Sequence, residues 1–391
     1  MKTITRLLFI TFPFLTFSLN AQITQTIRGT IIDRAAETPL IGAAILIDKI
    51  TPQLGAITDE NGNFEIKNVP TGRHQIIVSF IGYNAQTFPN IVVNAGKETV
   101  LDIKLEESVQ LLNAVTVSSK VEKSQTINEL ATISARQFNV EEVQRYSGGR
   151  NDVSRLAANF AGVAIGNDSR NDIVIRGNSP IGVLWRLEGV PIPSPNHFST
   201  LGTTGGPVSA LNPNMIRNSD FLTSAFPAEY GNATAGVFDI GFRNGNKEKI
   251  EFTAQLAAFS GLEAMVEGLS KKNNSSYVVA YRHSFVELAQ KAGINVGTAA
   301  LPRYRDLTFN IDLGQTKVGK FSIFGIGATS DIDFIGEKLS EDDFFANKNE
   351  DSHADSKLGI LGLRHNVIID NNTFVRTVLS AIHAGNNYYI N

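Results

Sequence analysis

From Lys249 onward the chain repeats a pattern that few folds can use. The segments IEFTAQLAA, LEAMVEGL, YVVAYRHSF, LTFNIDLG, FSIFGIGAT, LGILGLRHNVII and FVRTVLSAIH read as strands, several with one apolar face and one polar or small face. The clearest sets Leu307, Phe309, Ile311 and Leu313 against Thr308, Asn310 and Asp312. Repeated segments near the ~10 residues of a tilted membrane strand predict a transmembrane β-barrel, with a soluble β-domain as the competing reading.

Connection lengths favour the barrel. The links KKNNSS, GQTKVG and DNN are short, whereas those from Val286 to Tyr304 and from Ser330 to Ser356 are long. After the first strand pair, short and long alternate, as periplasmic turns and extracellular loops do. The second long link holds nine acids and two lysines, a composition expected of a solvated surface rather than a calcium site. Beyond the N-terminal leader no stretch approaches the roughly 20 apolar residues of a membrane helix, so any membrane role must use strands.

The chain starts as an exported protein starts. Met1-Lys2-Thr3-Ile4-Thr5-Arg6 is basic, LLFITFPFLTFSL is apolar and short, and Asn20-Ala21 supplies a small residue. This predicts a signal peptide over 1–21, cleaved near Ala21. Its removal takes the formal net charge from −3 to about −5, a balance that gives no reason to expect nucleic acid. With no cysteine, neither disulfides nor a lipid-attachment thiol can hold or anchor the chain.

Residues 22–107 predict a small β-sandwich. IRGTIID, LIGAAILI, FEIKNV, HQIIVSFIGY, NIVVN and TVLDIKL are strand-like, and ETP, TDENGN, VPTGR and NAGKE punctuate them with turn residues. Asp59, Glu60, Asn61 and Asn63 lack the twelfth-position Glu of an EF-hand, so a tight turn explains them better than calcium. The segment resembles the carboxypeptidase regulatory-like domain, a transthyretin-like sandwich. Gly29, Asp33, Pro39-Leu40-Ile41-Gly42-Ala43, Thr58 to Phe64, Val69-Pro70-Thr71-Gly72 and Phe80-Ile81-Gly82-Tyr83 carry that resemblance. It implies an accessory module without catalytic residues.

A linker, 108–120, follows. EESVQLLNAVTVSSK runs from an acidic start through a β-branched core to a polar exit, and reads either as one more edge strand or as a peptide that adds to a partner's sheet. A second unit spans 121–246. Val153, Leu156, Ala157 and Phe160 fall at helical spacing, and IVIRGNSPIGVLWRLEGVPIP, Ile173 to Pro193, reads as a hairpin that pauses at RGNSPIG.

This unit is similar to the plug domain of TonB-dependent outer-membrane receptors. The matching stretches are Asp152-Val153-Ser154-Arg155-Leu156, Ile175-Arg176-Gly177, Leu187-Glu188-Gly189-Val190-Pro191 and Ala228 to Ile240, the last including Tyr230, Gly231 and Gly236. A sandwich ahead of a plug resembles receptors of Bacteroidetes type. The resemblance implies that Asn113-Ala114-Val115-Thr116-Val117 is the TonB box and that TonB in the periplasm is a partner. It further implies a barrel seated in outer-membrane lipid and a transported ligand of unspecified class. A surface lipoprotein lid, as in glycan importers of the same group, is compatible but not indicated. The expected fold is therefore mainly β: a transthyretin-like sandwich, an α+β plug, and over 247–391 the first strands of a transmembrane antiparallel barrel. Plugged barrels have about 22 strands, so seven candidates lead us to expect the N-terminal portion of a longer receptor, either a fragment or a truncated gene product.

An enzyme reading finds no constellation. His74, His197, His283, His353, His365 and His383 are scattered, and neither HExxH, GxSxG nor a Walker A sequence occurs. Glu188 has no second carboxylate fixed near it by sequence. No catalytic residue, metal site or cofactor is expected. In the plug reading, Arg176 and Glu188 become hydrogen-bond or ion-pair partners within the plug or to the barrel wall, and Gly177 and Gly189 serve turns. The competing function is an exported surface-binding or adhesion protein that uses the sandwich without transport.

Overall fold

A computed structural model describes residues 24–34, 38–106, 135–138, 143, 152–166, 171–199, 205–217, 219–247, 249–257, 261–270, 275–284, 301–334, 351–370 and 373–390. The expected signal peptide, the 108–120 linker with its Asn113–Val117 box, and most of the acidic link lie outside them.

The turn signals of the first unit delimit seven strands: β1 (Thr24–Asp33), β2 (Ala44–Ile47), β3 (Gly55–Ile57), β4 (Asn63–Pro70), β5 (Gly72–Ser79), β6 (Gln86–Val93) and β7 (Thr99–Leu105). They form two sheets, ordered β4-β1-β7 and β3-β2-β5-β6. Alternation turns Ile27, Ile31 and Ile103 of one sheet toward Ile45, Ile47, Ile76 and Val78 of the other, and together they make the sandwich core. In the TDENGN turn the Asp59 carboxylate accepts the backbone N–H groups of Asn61 and Asn63, both at 2.8 Å. The acid serves the turn's own backbone.

The middle unit contains β8 (Ala135–Phe138), α1 (Val153–Ala157), β9 (Val163–Ile165), β10 (Ile173–Ile175), β11 (Val183–Leu187), β12 (Val190–Ile192), β13 (Asn196–His197), β14 (Val208–Ser209), β15 (Ser219–Leu222) and β16 (Gly236–Ile240). Asp152 caps α1 by accepting the Ser154 N–H at 2.7 Å, and every residue of the helix is buried. Five strands form a sheet ordered β12-β11-β16-β15-β8. Trp185 stacks on Phe238 at 4.2 Å, and Phe221 packs on the same ring at 4.3 Å.

The single hairpin expected over Ile173 to Pro193 is not what forms. β10 pairs with β9, whereas β11 pairs with β12 and β16. The reason lies in two tight turns. Arg176 and Gly177 both have positive φ, 51° and 79°, and Ile175 closes at once on Asn178. The Pro180–Gly182 turn then carries the chain into a different sheet. The true hairpin is β11–β12, and its two central residues, Glu188 and Gly189, have φ of 51° and 87°. Two positive φ values at a two-residue turn give the type I′ geometry that matches strand twist.

Seven further strands, β17 (Glu251–Ala257), β18 (Gly261–Ser270), β19 (Ser275–His283), β20 (Leu301–Thr316), β21 (Gly319–Phe334), β22 (Ser352–Asp370) and β23 (Thr373–Ile390), pair antiparallel in chain order. The long links are shorter than expected, because β20 starts at Leu301, β21 runs to Phe334 and β22 begins at Ser352. Polar composition disguised these strand ends as loop. Their side chains pair across strands, with Arg303 Nε on Asp331 at 2.6 Å and His353 Nδ1 on Asp333 at 2.6 Å.

This sheet is inverted relative to a water-soluble one. On β20 the polar Thr308, Asn310 and Asp312 are 0%, 3% and 1% exposed, whereas Leu307 and Leu313 are 42% and 40% exposed. On β18 Glu263 and Glu267 are buried while Leu262 faces outward. The buried polar face lies against the middle unit, with Phe324, Ile326 and Ile360 joining that unit's apolar core. The sandwich sits near the short-turn end. There Asp102 accepts the Asn244 N–H at 3.0 Å, and Arg28 donates to Glu98 at 2.8 Å while Lys249 pairs with the same carboxylate. No helix among the described residues is long and apolar enough to cross a membrane, which says nothing about strands.

Candidate functional site

The contact between the middle unit and the seven-stranded wall is built from charged and polar side chains at two levels. Nearer the long links, the β13–β14 pairing presents His197 to β20. Its Nε2 lies 2.9 Å from Asp306 Oδ2. A carboxylate only accepts, so Nε2 carries the proton and donates it. Arg282 of β19 donates Nε to both Asp306 oxygens, at 2.9 and 3.1 Å, and Nη2 to the Ser209 carbonyl at 2.8 Å. The Tyr304 ring lies 4.8 Å from the imidazole. The Phe198 N–H donates to the hydroxyls of Ser330 and Ser356, at 2.9 and 3.2 Å. Burial pushes the His197 pKa down, only partly opposed by the hydrogen bond to Asp306, so the imidazole is held neutral.

Nearer the short turns, the β11–β12 turn delivers Glu188. Its Oε1 accepts the Phe242 N–H at 2.6 Å, and its Oε2 faces Arg217 at 3.5 Å and pairs with Arg364 of β22. Burial alone would raise the Glu188 pKa, but Arg217 and Arg364 hold the carboxyl below the usual range. Arg243, at the exit of the middle unit, grips both Glu267 oxygens of β18, at 2.7 and 2.9 Å. Asn214 reaches Glu263 at 3.0 Å, and Asn310 donates to the Arg243 carbonyl at 2.9 Å.

The residues singled out in the sequence divide between this contact and the interior of the middle unit. Glu188 reaches the wall, whereas Arg176 stays exposed on the surface with Gly177 beside it in its turn. Gly189 completes the Glu188 turn. Tyr230 donates to Asp239 at 2.8 Å, and the Arg186 guanidinium lies over its ring at 5.0 Å while donating to Glu229 at 2.9 Å. Thus the stretch ending in Glu188-Gly189 and the stretch Ala228 to Ile240 meet directly. Gly231 has open space around its Cα, but Gly236 does not: a Cβ there would stand 2.2 Å from Ile175 Cδ1. Sequence reasoning missed His197, Arg217, Arg243, Arg282 and Arg364. The readable half of the signal was acids on the polar face of wall strands; the partners come from distant loops. Among the described residues no group of three or more His, Asp or Glu is placed to hold a metal. Buried ion pairs in a polar seam thus join the middle unit to the wall.

Two family models match the chain: the CarboxypepD_reg-like domain over residues 27–117, and the TonB-dependent Receptor Plug Domain over residues 109–237. No curated protein matches. Among solved structures, the outer membrane transporter YddB from Escherichia coli is 14% identical, with 64% of this chain and 39% of that one covered and a TM-score of 0.44. The siderophore receptor PirA from Pseudomonas aeruginosa is 15% identical, with 66% and 41% covered and a TM-score of 0.41. A cohesin and X-dockerin complex from Acetivibrio cellulolyticus is 26% identical over 21% of this chain and 56% of that one, with a TM-score of 0.19. The chain spans less than two thirds of the length of each.

Proposed function

We propose, for a chain that carries a carboxypeptidase regulatory-like domain followed by a TonB-dependent receptor plug domain, that it forms the gate of an outer-membrane transporter. The plug fills a transmembrane barrel and is displaced, with energy supplied through TonB, to let a ligand pass. One observation carries this reading: the wall buries its polar face on the plug and exposes Leu307 and Leu313. In water that arrangement wastes its apolar surface, whereas in lipid it places that surface in its preferred solvent. A plug of this size needs a wide barrel of about 22 strands, so the seven strands are one part of the wall and further strands complete it.

In this account the clamps at His197 and Glu188 hold the gate shut. The lumen of a wide barrel is wet, so a pulled plug exchanges ion-pair partners for water rather than for hydrocarbon. Asn113-Ala114-Val115-Thr116-Val117 would add as a strand to TonB, and tension would reach the plug at β8, the first described strand after the linker. The partners are TonB, outer-membrane lipid and a ligand whose class is open, with a surface lipoprotein compatible but unsupported. The role is a transporter's and not an enzyme's.

The test is a fractionation and a binding measurement on the full-length protein. The account expects it in the outer membrane, and expects the purified periplasmic domain of TonB to bind it. Changing Val115→Pro and Val117→Pro together should abolish that binding, since proline removes the ladder donors. Recovery only in soluble fractions would overturn the transporter and favour the adhesion reading; full binding by the double variant would overturn the box.

A further inference from the structure

On the outward face of the wall, the strand register builds one row of donors at the upper border of the apolar surface. His283 stands opposite Arg305, Arg305 opposite Thr329, and Thr329 opposite Lys357. Residues directly opposite one another share a face of the sheet, so the four side chains project together. The next row toward the short turns contains Tyr281 and Leu307, 43% and 42% exposed, with Gly327 and Gly359. Below it the outward face continues through Phe309, Ile311 and Leu313. A tyrosine at the end of an apolar band is placed where a ring meets headgroups and its hydroxyl meets water.

Charge separates this row from its neighbour on the other side. One row nearer the long links, Arg303 pairs with Asp331 and Asp333, Asp333 also holds His353, and Asp355 is bonded by Asn387. Arg303, Asp331, Asp333 and His353 thus engage one another, and Asp355 accepts from a neutral amide. Arg305 and Lys357 are both exposed and have no acidic partner among the described residues, and Arg305 Nε only donates to the Thr329 hydroxyl at 3.2 Å. Two cations flank a hydroxyl on three adjacent strands, immediately above lipid-facing leucine.

We propose that this row binds the phosphate of a lipid headgroup in the leaflet on the long-link side. A phosphate monoester offers several acceptor oxygens to the guanidinium, the ammonium and the hydroxyl together, while its acyl chains run down past Leu307 and Phe309. Free phosphate gains nothing from the apolar row, so the occupant is a lipid. The inference rests on the lipid-facing reading of the sheet, and its test separates the two.

The full-length receptor in detergent is mixed with phosphatidic acid or phosphatidylcholine, and retained lipid is counted by native mass spectrometry. The receptor should prefer phosphatidic acid about tenfold or more, and Arg305→Gln with Lys357→Gln should bring the ratio close to unity. Lys317→Gln, an exposed cation in a short turn, should leave the preference unchanged. A preference for phosphatidic acid that survives undiminished in the double variant, or displacement of the lipid by inorganic phosphate at the lipid's own concentration, would overturn the site. An outer-membrane receptor without any headgroup preference would sink the row alone; a receptor absent from the outer membrane would sink both.

Discussion

Nε2 of His197, on the plug, lies 2.9 Å from Oδ2 of Asp306, on the wall, and ties the two together through a group that can titrate. Burial lowers the His197 pKa from 6.5, so an undocked imidazole takes up a proton more readily than the docked one. Stability from this group is complete above about pH 6.5 and is lost as pH falls through the window beneath it. Hydrogen exchange of the plug in the full-length protein, compared between pH 8 and pH 5, should show faster opening at the acid end. His197→Gln should flatten that trend over the upper part of the range; an unaltered slope would remove His197 from the clamp.

Glu188 should behave differently. Its carboxyl is held below the ordinary 4.5, so its contribution persists through neutral pH and disappears only as pH falls below that value. Glu188→Ala leaves Arg364 buried without its anion and should cost about 3–5 kcal/mol of plug docking in denaturant titrations. Pairing it with Arg364→Met should recover much of the loss. Additive costs in that double-mutant cycle would mean that the two side chains are not coupled.

Gly236 tests the plug's packing independently of charge. A methyl group there meets Ile175 Cδ1 at 2.2 Å and the Leu222 carbonyl at 3.0 Å, so Gly236→Ala should destabilise the plug by roughly 1–3 kcal/mol. Ile175→Val removes the nearer atom, and in that background the same change should cost measurably less.

What the sequence made legible was what local rules determine. The sandwich strands were readable because Gly, Pro, Asn and Asp mark each turn, and the wall strands because Leu307 to Leu313 alternate with a period of two. The strand ends at Arg303, Asp331 and His353 looked like loop because cross-strand partners, rather than apolar burial, hold them in the sheet. The Arg176-Gly177 and Glu188-Gly189 turns read as parts of one hairpin, since neither dipeptide has the usual Asn or Asp that marks a type I′ turn. The clamp itself was out of reach: His197 and Asp306 are 109 positions apart, and only the fold brings them together.

The central claim is that the odd positions from Leu307 to Leu313 face lipid while the even positions face the plug. Because the chain contains no cysteine, single cysteines placed from 307 to 313 in the full-length protein can each carry a spin label without background. Collision with dissolved oxygen and with a water-soluble nickel complex is then measured in membranes. The account predicts high oxygen and low nickel accessibility at 307, 309, 311 and 313, alternating with low accessibility to both at 308, 310 and 312. High nickel accessibility at the odd positions would show that this face meets water, and would contradict the membrane-spanning wall on which the gate depends.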